Sequence, residues 1–216
     1  SFHFESSAIL LQNQHGFRKH RSTTTSLATM YDRWCKAANN GKMTGILMVD
    51  LSAAFDVIGH DIILDKLEHY GCDISALVWF SNYLRGRSQF VQIGAHKSST
   101  KELHYGVPQG SILGPLIFII YMNDLQHCLK YCTAKGFADD TTIEYSHGND
   151  EEIGLLLQED ATNLEKWLSD NELVLSGEKS RFIMAGTQSR LNANYYKNKA
   201  EEWKNCLLYT SDAADD

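Results

Sequence analysis

Apolar residues recur at helical spacing behind Ser22–Thr25: Leu27, Met30, Tyr31, Trp34, Cys35 and Ala38 keep the 3.6-residue period. The hydroxyl side chains ahead of them can cap the first turn, so a helix is predicted from about Ser22. Ile46–Val49 is a continuous apolar run of strand length that ends at Asp50, and it reads as a buried strand. Two helices are predicted next, over Asp61–Tyr70 and Ile74–Leu84, with Gly71 and Gly86 as their stops.

Beyond them the period shortens. Gln89–Ile93 and Lys101–Tyr105 alternate and are predicted to pair as a hairpin. The chain's two prolines, Pro108 and Pro115, fall within Gly106–Leu116, a tight loop that opens an apolar helix expected to reach about Leu129. Lys135–Ala138 and Thr141–Ser146 read as strands, with Asp139 and Asp140 as the two-residue junction between them. Asp150–Asp170 is amphipathic, with Ile153, Leu156, Leu157, Leu164, Trp167 and Leu168 on the core side, and Leu173–Leu175 and Arg181–Ala185 read as closing strands. Hairpins with helices between them predict an α+β fold, an antiparallel sheet backed by helices on one face. The other face would be left open to a ligand.

Composition narrows the setting. The chain has 216 residues, 43% of them apolar, enough for one sizeable core, placed here from about Gln12 to Gly186. Net charge is −7, from 20 basic and 27 acidic residues, which speaks against a protein that coats nucleic acid through a general basic excess. Locally the balance inverts: between His15 and Lys42 stand Arg18, Lys19, Arg21, Arg33, Lys36 and Lys42 against Asp32 alone. That segment is a candidate phosphate-facing surface, with a solvated helix face as the competing reading. Five irregularly spaced cysteines (Cys35, Cys72, Cys128, Cys132, Cys206) read as reduced thiols of an intracellular protein. His127 with Cys128 and Cys132 has no second pair at zinc-finger spacing. The longest apolar run, Ile112–Met122, is broken by Gly114 and Pro115 and is shorter than the ~20 residues of a membrane span, and no leader is evident, so no membrane partner is expected. The chain opens without Met, and residues after about 205 break the preceding pattern in the manner of an artefactual tail. Both ends point to a fragment.

The acids carry the chemistry. Asp139 and Asp140 alone would be a solvated turn. Asp50 also ends an apolar strand, and strand ends on one sheet edge can bring residues 89 positions apart together. Clustered carboxylates repel unless a cation neutralises them, and hard oxygen donors select Mg²⁺ or Mn²⁺. Two such ions ~3.5–4 Å apart serve phosphoryl transfer. The loop Gly106–Ser111 adds glycines that admit a flat ligand and Gln109, both donor and acceptor. From its residue type alone, Phe55 reads as a core aromatic.

Taken together, Val49-Asp-Leu-Ser-Ala-Ala-Phe-Asp56, Gly106-Val-Pro-Gln-Gly-Ser-Ile-Leu-Gly-Pro-Leu116 and Phe137-Ala-Asp-Asp-Thr141 resemble, in order and spacing, the palm motifs of reverse transcriptases, most closely those of jockey-like non-LTR retrotransposons. His15–Thr23 is similar to their finger motif, Tyr83–Val91 to the connecting hairpin, and Trp167–Asn171 with Glu178-Lys-Ser180 to the last palm motif. The resemblance covers about Gln14–Gly186. It implies a partial fingers segment over residues 1–45, a palm over 46–186 and a tail over 187–216.

The resemblance also implies roles. Asp50 and Asp139 would hold two Mg²⁺ ions, with Asp140 as a supporting acid, and Lys179 would protonate the leaving pyrophosphate. Phe55 becomes the gate that crowds a ribose 2′ hydroxyl, reversing its reading as core. Gln109 and Gly110 would lie under the incoming nucleotide and template base, while Arg18 and Arg21 would meet the triphosphate or template backbone. Implied partners are an RNA template, a DNA primer and deoxynucleotides, and the implied compartment is the nucleus. Departures stand beside the likeness: Gly59 replaces a common acid, and Ser176 and Ser180 stand where Asn and Thr are common. An endonuclease upstream and a thumb downstream are expected and absent. Competing readings are a dead remnant that only binds nucleic acid and an RNA-dependent RNA polymerase, which would favour Gly-Asp-Asp at the turn. A metal-dependent phosphatase would require parallel strands alternating with helices.

Overall fold

The computed structural model describes residue 4, residues 9–177 and residues 179–191. Its helices are α1 (Thr23–Asn39), α2 (His60–His69), α3 (Ile74–Leu84), α4 (Gly114–Tyr121), α5 (Asp150–Asp170) and the single turn α6 (Gln188–Leu191). Its strands are β1 (Met43–Val49), β2 (Leu51–Ser52), β3 (Arg87–Gln89), β4 (Gln92–Ile93), β5 (His96–Lys97), β6 (Lys101–Leu103), β7 (Thr133–Phe137), β8 (Asp140–His147), β9 (Val174–Leu175) and β10 (Arg181–Ala185). The described residues fall into two compact units, those within 11–52 and 123–191 forming one and those within 4–10 and 53–122 the other.

The first unit is built on a four-stranded antiparallel sheet of order β10-β1-β8-β7. Helix α5 covers one face, burying Ile153, Leu157, Leu164 and Leu168 at helical spacing. Gly45 of β1 makes the close approach possible: a Cβ there would stand 2.4 Å from Leu157 Cδ1 and 2.5 Å from Ile153 Cγ2. The expected open face is only partly open, because α1 packs on it. The capping box at Ser22 and Thr25 starts α1 as predicted, but its buried residues are Ser26 and Met30, while Leu27 and Tyr31 of the predicted stripe are 63% and 68% exposed. Polar anchors set this rotation. The buried Glu144 accepts from Trp34 Nε1 at 2.7 Å and pairs with Arg33 at 2.7 Å, and the buried Lys135 ammonium donates to the Ser26 carbonyl at 2.9 Å and to the Thr29 hydroxyl.

A second polar anchor interrupts the apolar face of α5. Asp160 is fully buried, and its carboxylate accepts the backbone N–H groups of Lys130, Tyr131 and Cys132 at 2.8, 2.8 and 2.6 Å. It thereby fixes the entry to β7. Burial raises the Asp160 pKa, but the three donors outweigh it and hold the carboxyl below the usual aspartate range.

In the second unit α2 packs against α3 and α4 around Ile63, Leu67, Leu84, Ile117, Phe118 and Tyr121, all fully buried. Helix α4 ends at Tyr121, short of the expected Leu129, and residues 125–128, in the first unit, form a separate 3₁₀ turn. The predicted hairpin over 89–105 is two short ladders, β3 with β6 and β4 with β5. None of residues 88–102 is covered. No described helix is long and apolar enough to cross a membrane.

Asp160→Ala strands three backbone donors without an acceptor. It is expected to lower the unfolding free energy by about 3–5 kcal/mol in a urea titration at neutral pH. Since the folded carboxyl titrates below its unfolded value, the wild type keeps this contribution above pH ~4 and loses it as pH falls below that range; the variant should lose the corresponding acid sensitivity.

Candidate active site

The register of β1 on β8 sets Val49 opposite Thr141, so its next step brings Asp50 level with Asp140. Asp140 is the first residue of β8, paired with Phe137. This shifts the expected turn by one residue: the two-residue loop is Ala138-Asp139, and Ala138 takes the positive φ, 58°, that such a loop requires at its first position. Asp139 therefore sits at the tip and Asp140 on the ladder.

Asp50 is held by its backbone from the closing segment. Its N–H donates to Ser180 Oγ at 3.3 Å, its carbonyl accepts from Ser176 N–H at 2.9 Å, and the Ser180 hydroxyl donates to the Ser176 carbonyl at 2.9 Å. The two serines that depart from the family pattern thus position the first acid. Lys179 Nζ lies 3.4 Å from Asp50 Oδ2, an oxygen buried without a hydrogen-bond donor. Asp140 stays exposed as a residue, but partial desolvation of its carboxyl first, then the charges of Asp139 and Asp50, push that carboxyl above the usual range, so the three acids interact electrostatically.

Among the described residues, no three His, Cys, Asp or Glu side chains already converge as a metal cage. The donor chemistry nevertheless fits a hard divalent ion: three carboxylates in mutual repulsion, one with an unsatisfied buried oxygen. A cavity of about 440 Å³ opens beside them, lined by Asp50, Asp140, Lys179, Arg181, Lys135 and Leu27 among others. Burial, followed by the Arg33 charge, lowers the Lys135 pKa to about 8.

Arg18 donates to the Leu11 carbonyl at 2.6 Å and Arg21 to the carbonyls of Gln12 and, at 3.1 Å, Gln14, so both brace the 11–14 backbone. Phe55, Gln109 and Gly110 belong to the second unit. Phe55 is half-buried and stacks on Phe118, ring centroids 4.5 Å apart. The loop carrying Gln109 is built onto the turn after Phe55: Val107 N–H donates to the Phe55 carbonyl at 3.0 Å and Gly106 N–H to that of Ile58 at 2.8 Å. Gly106 has φ 77°, and a Cβ there would stand 2.7 Å from the Asp56 carbonyl oxygen. Gln109 Nε2 reaches both Asp56 carboxylate oxygens, at 3.0 and 3.3 Å. Sequence reasoning passed over Asp56 and Ser180 as parts of the site, although each stands inside a quoted motif.

A family model described as "Reverse transcriptase (RNA-dependent DNA polymerase)" matches residues 3–207. The chain belongs to the reverse transcriptase family. It is 28% identical over 172 residues to the probable RNA-directed DNA polymerase from transposon BS of Drosophila melanogaster, covering 74% of this chain and 18% of that protein. Likeness to the RNA-directed DNA polymerase from mobile element jockey of the same organism is 30% over 112 residues, 52% of this chain and 12% of that one. The reverse transcriptase chain thus spans a fifth or less of these relatives, and its expected jockey-like kinship is borne out. Among solved structures, telomerase from Candida tropicalis in complex with a TWJ fragment of telomeric RNA aligns with TM-score 0.60 at 9% identity, over 80% of this chain and 30% of that one. Apo telomerase of the same organism, truncated from the C-terminal domain, aligns with TM-score 0.58 at 10% identity, over 82% and 37%. The fold is polymerase palm-like, as expected.

A raised carboxyl pKa contributes stability below the unfolded value and loses it as pH rises through the folded one, so at pH 7 the Asp140 charge costs stability. Asp140→Asn is expected to raise Tm in cation-free buffer at pH 7, by no more than about 2–4 °C because the group is exposed. A calorimetric scan showing a lower Tm would contradict the crowding.

Proposed function

We propose that this chain is the palm, with part of the fingers, of an RNA-directed DNA polymerase of a jockey-like non-LTR retrotransposon. Residues 1–45 are read as fingers, 46–186 as palm with its connecting hairpin, and 187–216 as a tail that lies largely outside the described residues. The observation that carries the proposal is the placement of Asp50 level with Asp140 at one end of the β1–β8 ladder, with Asp139 in the adjoining turn. Carboxylates so crowded have a use when a polyvalent cation joins them.

Members of the family use divalent ions; two Mg²⁺, or Mn²⁺, would here supply Lewis-acid activation of the primer hydroxyl and charge neutralisation on the phosphates. In the reaction the 3′ oxygen bonds the α-phosphorus of a deoxynucleotide and the α–β bridging bond breaks, releasing pyrophosphate. Asp50 and Asp139 would hold the ions, with Asp140 supporting them. Lys179, already beside Asp50, delivers a proton to the departing pyrophosphate. Phe55 crowds a 2′ hydroxyl, Gln109 and Gly110 support the nucleotide and template base, and the charges of Arg18 and Arg21 favour a phosphate backbone. An RNA template and a DNA primer are the partners, and the nucleus is the compartment where such a primer is found. The telomerase neighbour solved with telomeric RNA supports a nucleic-acid template for this fold.

Primer extension on RNA with deoxynucleotides and Mg²⁺ tests the proposal, using the chain extended to the length of its relatives. Asp139→Asn is expected to lower the rate on the order of a thousandfold, corresponding to several kcal/mol of lost charge stabilisation. No metal-dependent extension by the unsubstituted protein would leave the nucleic-acid-binding remnant as the surviving reading.

A further inference from the structure

The contact between Asp56 and Gln109 has a direction. A carboxylate accepts hydrogen bonds and donates none, whereas a carboxamide has a donating and an accepting end. With Nε2 directed at both Asp56 oxygens, at 3.0 and 3.3 Å, the other end of the amide, Oε1, is turned away from Asp56. Reversing the amide would set oxygen against oxygen, so the orientation is chemically enforced.

The backbone around the pair limits its freedom. Asp56 N–H donates to the Ala53 carbonyl at 2.7 Å, closing the turn that carries Phe55. Gly106 lies directly on the Asp56 backbone, in a conformation and a space that exclude a side chain. Its carbonyl accepts from Arg87 at 2.6 Å and lies 2.9 Å from His60 Nε2. The turn bearing Phe55 and the loop bearing Gln109 therefore form one braced piece, with the Asp56 carboxylate as its side-chain link. Both residues remain exposed, so the outward end of the amide is accessible.

We propose that Asp56 is a positioning residue that turns the Oε1 of Gln109 outward and presents it to the nucleotide or template base as a hydrogen-bond acceptor. This rests on the polymerase reading and deepens it: the ligand group that meets Gln109 carries a donor, a hydroxyl or an amino N–H. Without Asp56 the amide can turn over and offer its donors instead, weakening nucleotide binding while leaving the reacting atoms untouched.

Two measurements test the inference. In the 216-residue chain, the side-chain ¹H–¹⁵N signals of Gln109 are expected to shift in Asp56→Ala. Unchanged signals would overturn the proposal whatever the enzyme does. In primer extension by the full-length protein, Asp56→Ala is expected to raise the deoxynucleotide KM about tenfold with kcat within twofold, the pattern of a lost binding contact. Gln109→Glu sets two carboxylates together and is expected to weaken binding similarly. The double substitution Asp56→Asn with Gln109→Glu reverses donor and acceptor while still presenting an outward oxygen, and is expected to restore KM to within about threefold of wild type. An unchanged KM in Asp56→Ala, or no rescue by the double variant, overturns the positioning role and leaves the polymerase reading standing. Failure of the unsubstituted protein to extend any primer overturns both.

Discussion

Antiparallel pairing of β1 with β8 is the constraint on which the carboxylate site depends. Side chains alternate along a strand, so a slip of one residue would send Asp50 to the opposite face and turn the buried row Met43, Gly45, Leu47 and Val49 out toward α1. Hydrophobic burial against α5 therefore fixes the register, and the register places the acids. The cost is electrostatic: the Asp140 carboxyl is raised by partial desolvation and by its two acidic neighbours, a local destabilisation of the kind found where groups are gathered for function.

Three buried polar groups keep that arrangement in place. Asp160 gathers the backbone N–H groups that lead into β7, while Glu144 and Lys135 tie the sheet to α1. Each is fully or nearly fully buried and each is partnered, as groups in a low-dielectric interior must be. Together they hold the strand that runs into the Ala138-Asp139 turn and leave a cavity at its end. In the second unit the same economy of parts appears on a smaller scale, where Gly106 admits the Asp56 backbone and the Asp56 side chain holds Gln109.

Much of this was legible in the chain. The capped start of α1, the strand ending at Asp50, α2, α3 and α5, and the closing strands all followed from period and punctuation, because these depend on neighbours two to four residues away. The quoted motifs, read in order, led to the reverse transcriptase family. What failed was non-local. The apolar stripe of α1 was misread because Leu27 and Tyr31 look like core residues until Glu144 and Lys135, more than a hundred positions away, choose which side is buried.

Sequence by itself determined the kinds of element, their order and the family, since spacing and residue type are local properties that a fold can only accept or reject. Tertiary structure decided which acid sits on the ladder and which at the turn. It also decided that Ser180 and Ser176 hold the Asp50 backbone, and that Asp56 is joined to Gln109 across 53 positions. Those facts depend on register and on chain segments meeting in space, which single-sequence periodicity does not encode.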